Sequence, residues 1–308
     1  MKIFQLPVSR FARELRSEGV WLHTGPFQTH LRTSIEFLAR AIHLLYGDFT
    51  LVENPQFADF RVRVETPKTF RRWYRPYAFF SLDDETPFRP LPLSEAPALL
   101  EWCLNWCIES RAHQYLMIHA AVVERFGSAL ILPAPPASGK STLTAALISR
   151  GWRLLSDELT LIDPIHGFIT PIARPIGLKN ESIEVIRKFV PNAVMGPTAV
   201  DRVKGTIAYL KPPSDSVDRI GDLALPQWVI FPKFQAGAPV AFTNFPKPNA
   251  LLRLADSSFN YSQHGVQGFE TVVTLIDRCR CYELTYGRLD DAVAQLDMLV
   301  PDQQVQRV

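Results

Sequence analysis

Apolar positions fall in short bursts along the chain, and the spacing inside each burst separates helix from strand. Ile35, Leu38, Ala39, Ile42 and Leu45 recur every three or four residues, which predicts a helix over 34–45 closed by Gly47. Phe60, Val62 and Val64 alternate with Arg61 and Arg63, the mark of a half-exposed strand over 58–64. Shorter runs predict strands at 50–52 and 73–80. Leu99, Leu100, Trp102, Cys103, Trp106 and Cys107 make a strongly apolar helix to about Arg111, with Ser94 as its cap. Residues 1–20 show no clear period.

The runs at 116–123 and 129–132 flank a turn at 125–127 and predict a hairpin. Downstream, strands are expected at 153–155, 168–172, 206–210, 225–231, 241–245 and 281–284. Helices are expected at 143–150, 182–189, from 250, from 271 and at 289–299, and 191–206 reads as loop. The later strands are not each followed by a long helix. That breaks the regular alternation of a doubly wound sheet and predicts an α/β fold with a mixed, α+β-like sheet. A length of 308 residues allows two modest domains. The expected division is an N-terminal α+β region, 1–112, for substrate or partner binding, and a catalytic domain, 113–308.

Composition narrows the classes. An apolar content of 47% with 21% charged residues fits a globular protein. A net charge of +2 argues against nucleic acid or an anionic membrane as the main partner. No apolar run reaches the length of a membrane span and no leader is visible near Met1, so a cytoplasmic protein is expected. Cys103 and Cys107 lie four apart, and Cys279 and Cys281 two apart. Neither spacing is a metal knuckle; buried free thiols are expected over a four-thiolate zinc site. Arg71, Arg72 and Arg75 lie among Trp73, Tyr74 and Tyr77, a ligand or peptide surface or else an edge strand with charged rims.

The chemistry centres on 128–163. An apolar strand, Ala129 to Leu132, leads through a loop, Pro133 to Ser138, into Gly139, Lys140, Ser141 and Thr142, which open a helix. Strand, tight loop, Gly-Lys-Ser and helix form the context of a phosphate-binding P-loop. Backbone amides at the helix start would cradle an anion, Lys140 would reach the outer phosphates, and Ser141 would supply a hydroxyl to Mg²⁺. Ala134, Pro135, Pro136, Ala137 and Ser138 complete the cradle, with Ala134 where the pattern has glycine. Alanine resists positive φ, so a stiffer loop or weaker nucleotide binding is expected. Asp157 and Glu158 close the strand after the helix, where a carboxylate could hold Mg²⁺ or take a proton. His119 lies on the strand entering the sheet, as a catalytic group or a packed core histidine.

Ile118-His119-Ala120, the Ser138-Gly139-Lys140-Ser141-Thr142 run, the segment Gly151 to Glu158 and the segment Pro175 to Glu184 together resemble the HPr kinase/phosphorylase superfamily, closest to its HPr-kinase-related branch. The similarity covers residues 110–290. It implies a P-loop kinase domain of the HPr kinase/PEP carboxykinase type that uses ATP and Mg²⁺ to phosphorylate a hydroxyl. By that resemblance Asp157 is the general base, His119 the histidine preceding the loop, Glu158 a second acidic residue toward the metal with Ser141, and Lys179 a basic residue near the phosphates. The chain lacks the Pro-Gly-Arg-Asn-type loop of the regulated enzymes; Phe245 to Asn249 is a loose analogue. The branch implies a peptide or small-protein Ser/Thr as acceptor. A small-molecule kinase, a non-catalytic nucleotide switch, a P-loop hydrolase that does work on a partner, and a homo-oligomer stay open.

Overall fold

The computed structural model describes residues 1–53, 55–67, 76–135, 138–201 and 205–300. The first stretch runs α1 (Val8–Arg16), β1 (Val20–Thr24), β2 (Phe27–Thr33), α2 (Glu36–Leu45), β3 (Phe60–Glu65), β4 (Tyr77–Leu82), β5 (Leu91–Pro92) and α3 (Ala96–Arg111). Then come β6 (Leu116–Arg125), β7 (Ser128–Pro133), α4 (Lys140–Ser149), β8 (Arg153–Ser156), β9 (Leu159–Ile162) and β10 (Ile169–Thr170). The third stretch holds β11 (Ile176–Lys179), α5 (Glu181–Phe189), β12 (Ala199–Asp201), β13 (Gly205–Leu210) and α6 (Ser214–Asp218). The last holds β14 (Leu225–Phe234), β15 (Ala241–Asn244), α7 (Lys247–Asp256), α8 (Tyr261–Arg278), β16 (Arg280–Tyr286) and α9 (Leu289–Asp297). The architecture is mixed α/β, as the pattern predicts.

The chain forms two compact units, one of residues 1–112 with 172–221 and one of 113–171 with 222–308. Residues 172–221, expected within the C-terminal domain, belong instead to the first unit. Side-chain pairs distant in sequence join them to it: the Asp48 carboxylate meets the Lys211 ammonium at 2.9 Å, and Arg174 stands 3.6 Å from Glu101.

The first unit carries a five-stranded sheet in chain order β1 to β5 and a separate sheet ordered β11-β13-β12. Helix α1 lies where no period is legible, and it buries Phe11 and Leu15, one helical turn apart. Helix α3 starts at Ala96, one residue past Glu95, and Ser94 sits in a preceding 3-10 turn, so it does not cap the helix as expected. The expected basic-aromatic stretch 71–75 lies outside the described residues.

The second unit is built on a sheet ordered β10-β9-β6-β7-β14-β16-β15, with β8 also paired to β6. Strands β7, β14 and β16 run parallel to one another, while β6 and β15 are antiparallel to their neighbours, which gives the mixed sheet. The predicted hairpin is β6–β7, in register from Ala120 opposite Pro133 to Arg125 opposite Ser128. One face of this sheet buries Leu116, Ile118, Ile131, Val229, Val272 and Ile276 in a single cluster. Helix α8 begins ten residues before the expected start and is kinked at Gly265, whose φ of 54° no regular helix accommodates. Among the described residues no helix is long and apolar enough to cross a membrane.

Candidate functional site

Strand β7 ends at Pro133, and Ala134 follows it, 7% exposed. The non-glycine residues with positive φ among those described are Asp83, Asp84, Phe126 and Asn180. Ala134 is not one of them. The backbone at Ala134 thus keeps a conformation open to any L-residue. Pro135 is exposed, and its carbonyl accepts from the Ser138 N–H at 3.3 Å. Pro136 and Ala137 lie outside the described residues.

Gly139 turns the chain into the helix. Its φ of 88° is left-handed, and it stands as the N-cap of α4. A Cβ there would also come within 2.8 Å of the Tyr286 hydroxyl and 3.1 Å of Phe234. Glycine is thus required twice, by conformation and by space. Helix α4 then starts with Lys140, 9% exposed, and carries no acidic residue in its first turn. The helix end keeps its partial positive charge beside a largely buried ammonium. Thr144 donates back to the Lys140 carbonyl at 2.9 Å, and Leu143 and Leu147 bury against the sheet, which fixes the helix start at the strand ends. Thr142 is half-buried.

Ser141 and Asp157 meet across this helix start. The Ser141 hydroxyl donates to Asp157 Oδ2 at 3.0 Å. Asp157 occupies the turn between β8 and β9 and is half-buried, while Glu158 beside it is exposed. The hydrogen bond of Ser141 thus goes to Asp157, the first of the two consecutive acidic residues in the turn. The Ser138 hydroxyl is buried and meets no hydrogen-bond partner among the described residues.

His119 sits on β6 directly opposite Leu159, the first residue of β9. Its backbone N–H donates to the Ser257 carbonyl at 2.7 Å, and its ring lies 5.7 Å from that of Phe259. The link between α7 and α8 thereby pins the strand: Asn260, 1% exposed, accepts from the Met117 N–H at 2.9 Å and donates to the Tyr115 carbonyl at 2.8 Å. Lys179 ends β11 and is exposed; it belongs to the first unit, whereas His119, Ser138 to Thr142, Asp157 and Glu158 belong to the second.

Two residues beside the loop escape sequence reasoning. The Phe234 N–H donates to the Ser138 carbonyl at 3.2 Å, and the Tyr286 hydroxyl donates to the Gly139 carbonyl at 3.4 Å. Burial pushes the Tyr286 phenol up, so it stays a neutral donor. Phe234 ends β14, the parallel neighbour of β7, and Tyr286 ends β16, the parallel neighbour of β14. A parallel pairing of such distant segments leaves no local signal; only the apolar runs hint at it.

All four cysteines are buried free thiols, and burial pushes Cys107 and Cys279 up to about 12. Among the described residues no group of three or more His, Cys, Asp or Glu is placed to hold a metal ion.

No protein-family model matches this chain, and no curated protein matches it in sequence. A solved structure, the Hpr(Ser) kinase/phosphatase from Coxiella burnetii, is similar at 12% identity and a TM-score of 0.24 over 59% of this chain and 96% of that one. So distant a likeness carries no residue role across.

Proposed function

We propose that the chain is an ATP- and Mg²⁺-dependent kinase that transfers the γ-phosphoryl group to a hydroxyl, with a Ser or Thr of a peptide or small protein as acceptor. The observation that carries this reading is the 3.0 Å contact of Ser141 with Asp157 at the N-terminus of α4, beside the largely buried Lys140. The P-loop pattern in the sequence and its resemblance to HPr-kinase-related proteins support it.

The residues fit the ligands. A hydroxyl and a carboxylate are the hard oxygen donors Mg²⁺ prefers. The buried Ser138 hydroxyl has hydrogen-bonding capacity that a phosphate oxygen would meet. Lys140 and the amides at the start of α4 would hold the outer phosphates. When bound, Mg²⁺ supplies charge neutralisation at the β- and γ-phosphates. Asp157 would accept the proton of the attacking hydroxyl, His119 is assigned a catalytic role with it, and Glu158 a place toward the metal with Ser141. Its contact with Ser141 favours a second reading, in which Asp157 is a metal ligand and Glu158 or His119 the base. Residues 1–112 are assigned to acceptor binding, in a cytoplasmic protein.

Transfer from γ-labelled ATP to hydroxyl-bearing peptides, in wild type and Asp157→Asn, tests the proposal. As a base, Asp157 is worth roughly a hundredfold or more in single-turnover transfer, and the variant keeps MgATP affinity within several-fold. Lost nucleotide binding with turnover restored at high Mg²⁺ would assign Asp157 to the metal. A wild type that binds MgATP and labels no peptide or small-molecule hydroxyl contradicts the kinase reading in favour of a nucleotide switch.

A further inference from the structure

We propose that Phe234 is the nucleobase platform of this site: the ring of a nucleotide whose phosphates lie against Ser138 to Ser141 stacks on the Phe234 side chain. The inference rests on the nucleotide reading above and adds to it the part of the ligand that the phosphate loop does not touch.

Strands β7 and β14 are adjacent and parallel, so their C-terminal ends lie side by side, the edge of an α/β sheet where ligands bind. Phe234 is the last residue of β14, and its N–H donates to the Ser138 carbonyl. Its Cβ would stand 3.1 Å from a Cβ built on Gly139, so the side chain leaves the backbone within one residue's width of the loop. The residue is nevertheless 51% exposed. Below it Tyr286 is 1% exposed, and the two rings meet edge to face, 5.7 Å apart at 62°. The Gln235 N–H donates to the Tyr286 carbonyl at 2.9 Å, which holds the two strand ends together. A phenyl ring braced from one side and open on the other, at the mouth of a phosphate-binding loop, meets the requirement for stacking a base. Stacking of this kind tolerates any base, because each has a π face, so ATP and GTP are expected to profit alike.

Phe234→Ala is a clean test. Alanine keeps both the Cβ that packs near Gly139 and the N–H that holds Ser138, and removes only the ring. The probes are Mg²⁺ complexes of ATP, GTP and inorganic tripolyphosphate, the last having phosphates and no base, titrated calorimetrically with melting curves run in parallel. The proposal expects ATP and GTP to bind roughly tenfold or more weakly to Phe234→Ala while tripolyphosphate binds unchanged. Phe234→Trp should restore nucleotide affinity, with its fluorescence quenched by ATP and not by tripolyphosphate. Equal losses for ATP and tripolyphosphate, or no loss for either, would overturn the proposal while leaving the phosphate site standing. A wild type that binds neither ATP nor tripolyphosphate would overturn the nucleotide reading and this inference together.

Discussion

At position 134 the chain leaves strand β7, and the residue there is alanine where the glycine-rich pattern has glycine. The pattern names the position but not its backbone angles, and the structure shows no positive φ at Ala134. Replacement by glycine would therefore relieve no strain and only widen the unfolded ensemble. Ala134→Gly is expected to destabilise by about 0.4–1 kcal/mol and to leave nucleotide affinity unimproved. A melting curve with an ATP titration checks this; tighter binding in the variant would mean that the alanine does restrain the loop. Gly139 is the contrasting case. Its need for a left-handed conformation is legible from the motif, but its crowding by Tyr286 and Phe234 is not, because those contacts come from strands far along the chain. The hydrogen bond of Ser141 to Asp157 was equally out of reach, since it depends on the geometry of the β8–β9 turn.

Among the elements, the β6–β7 hairpin and helix α4 could be read directly, because both follow local periodicity. Helix α1 could not, since Phe11 and Leu15 are isolated among charged neighbours and only their burial makes the helix. The pairing of β8 with β6 carries a buried ion pair that no pattern announces. Arg153, 3% exposed, donates to Glu124, 1% exposed, directly across the two strands. Glu124 also accepts from the Gly127 N–H in the hairpin turn, and Arg153 reaches the Asp222 carbonyl at 3.0 Å. The pair thus ties the hairpin, β8 and the start of the last segment together. Removing one partner leaves the other charge buried. Arg153→Met is expected to cost about 3–5 kcal/mol in chemical denaturation. A loss below about 1 kcal/mol would show that water reaches Glu124 and that the pair is not what holds β8.

At the scale of the whole molecule, a mixed α/β protein was legible, but the membership of 172–221 in the first unit was not. Reading in chain order favours contiguous domains, and the contacts that join this segment are long-range ones with no local signal. Asp48 is one of them. Burial works to raise its carboxyl, but hydrogen bonds from Lys211 and Ser214 and the charges of Lys211 and Lys2 outweigh it, and the group is held below its ordinary value near 3.8. A depressed carboxylate stabilises the fold above its unfolded value and loses that contribution as pH falls through the folded one. Asp48→Asn should therefore melt below wild type at pH 7, with the gap closing on acidification past 3.8. A gap independent of pH would mean that shape, not charge, holds the segment. The central claim is that the start of α4 binds a nucleotide through its phosphates. Calorimetric titration of MgATP into wild type and Lys140→Ala tests it most directly. The account predicts saturable binding to wild type that weakens by roughly tenfold or more in the variant, because the point charge on the β- and γ-phosphates is gone, while the melting temperature holds. Equal affinity in the two proteins, or no binding to a folded wild type, would contradict it.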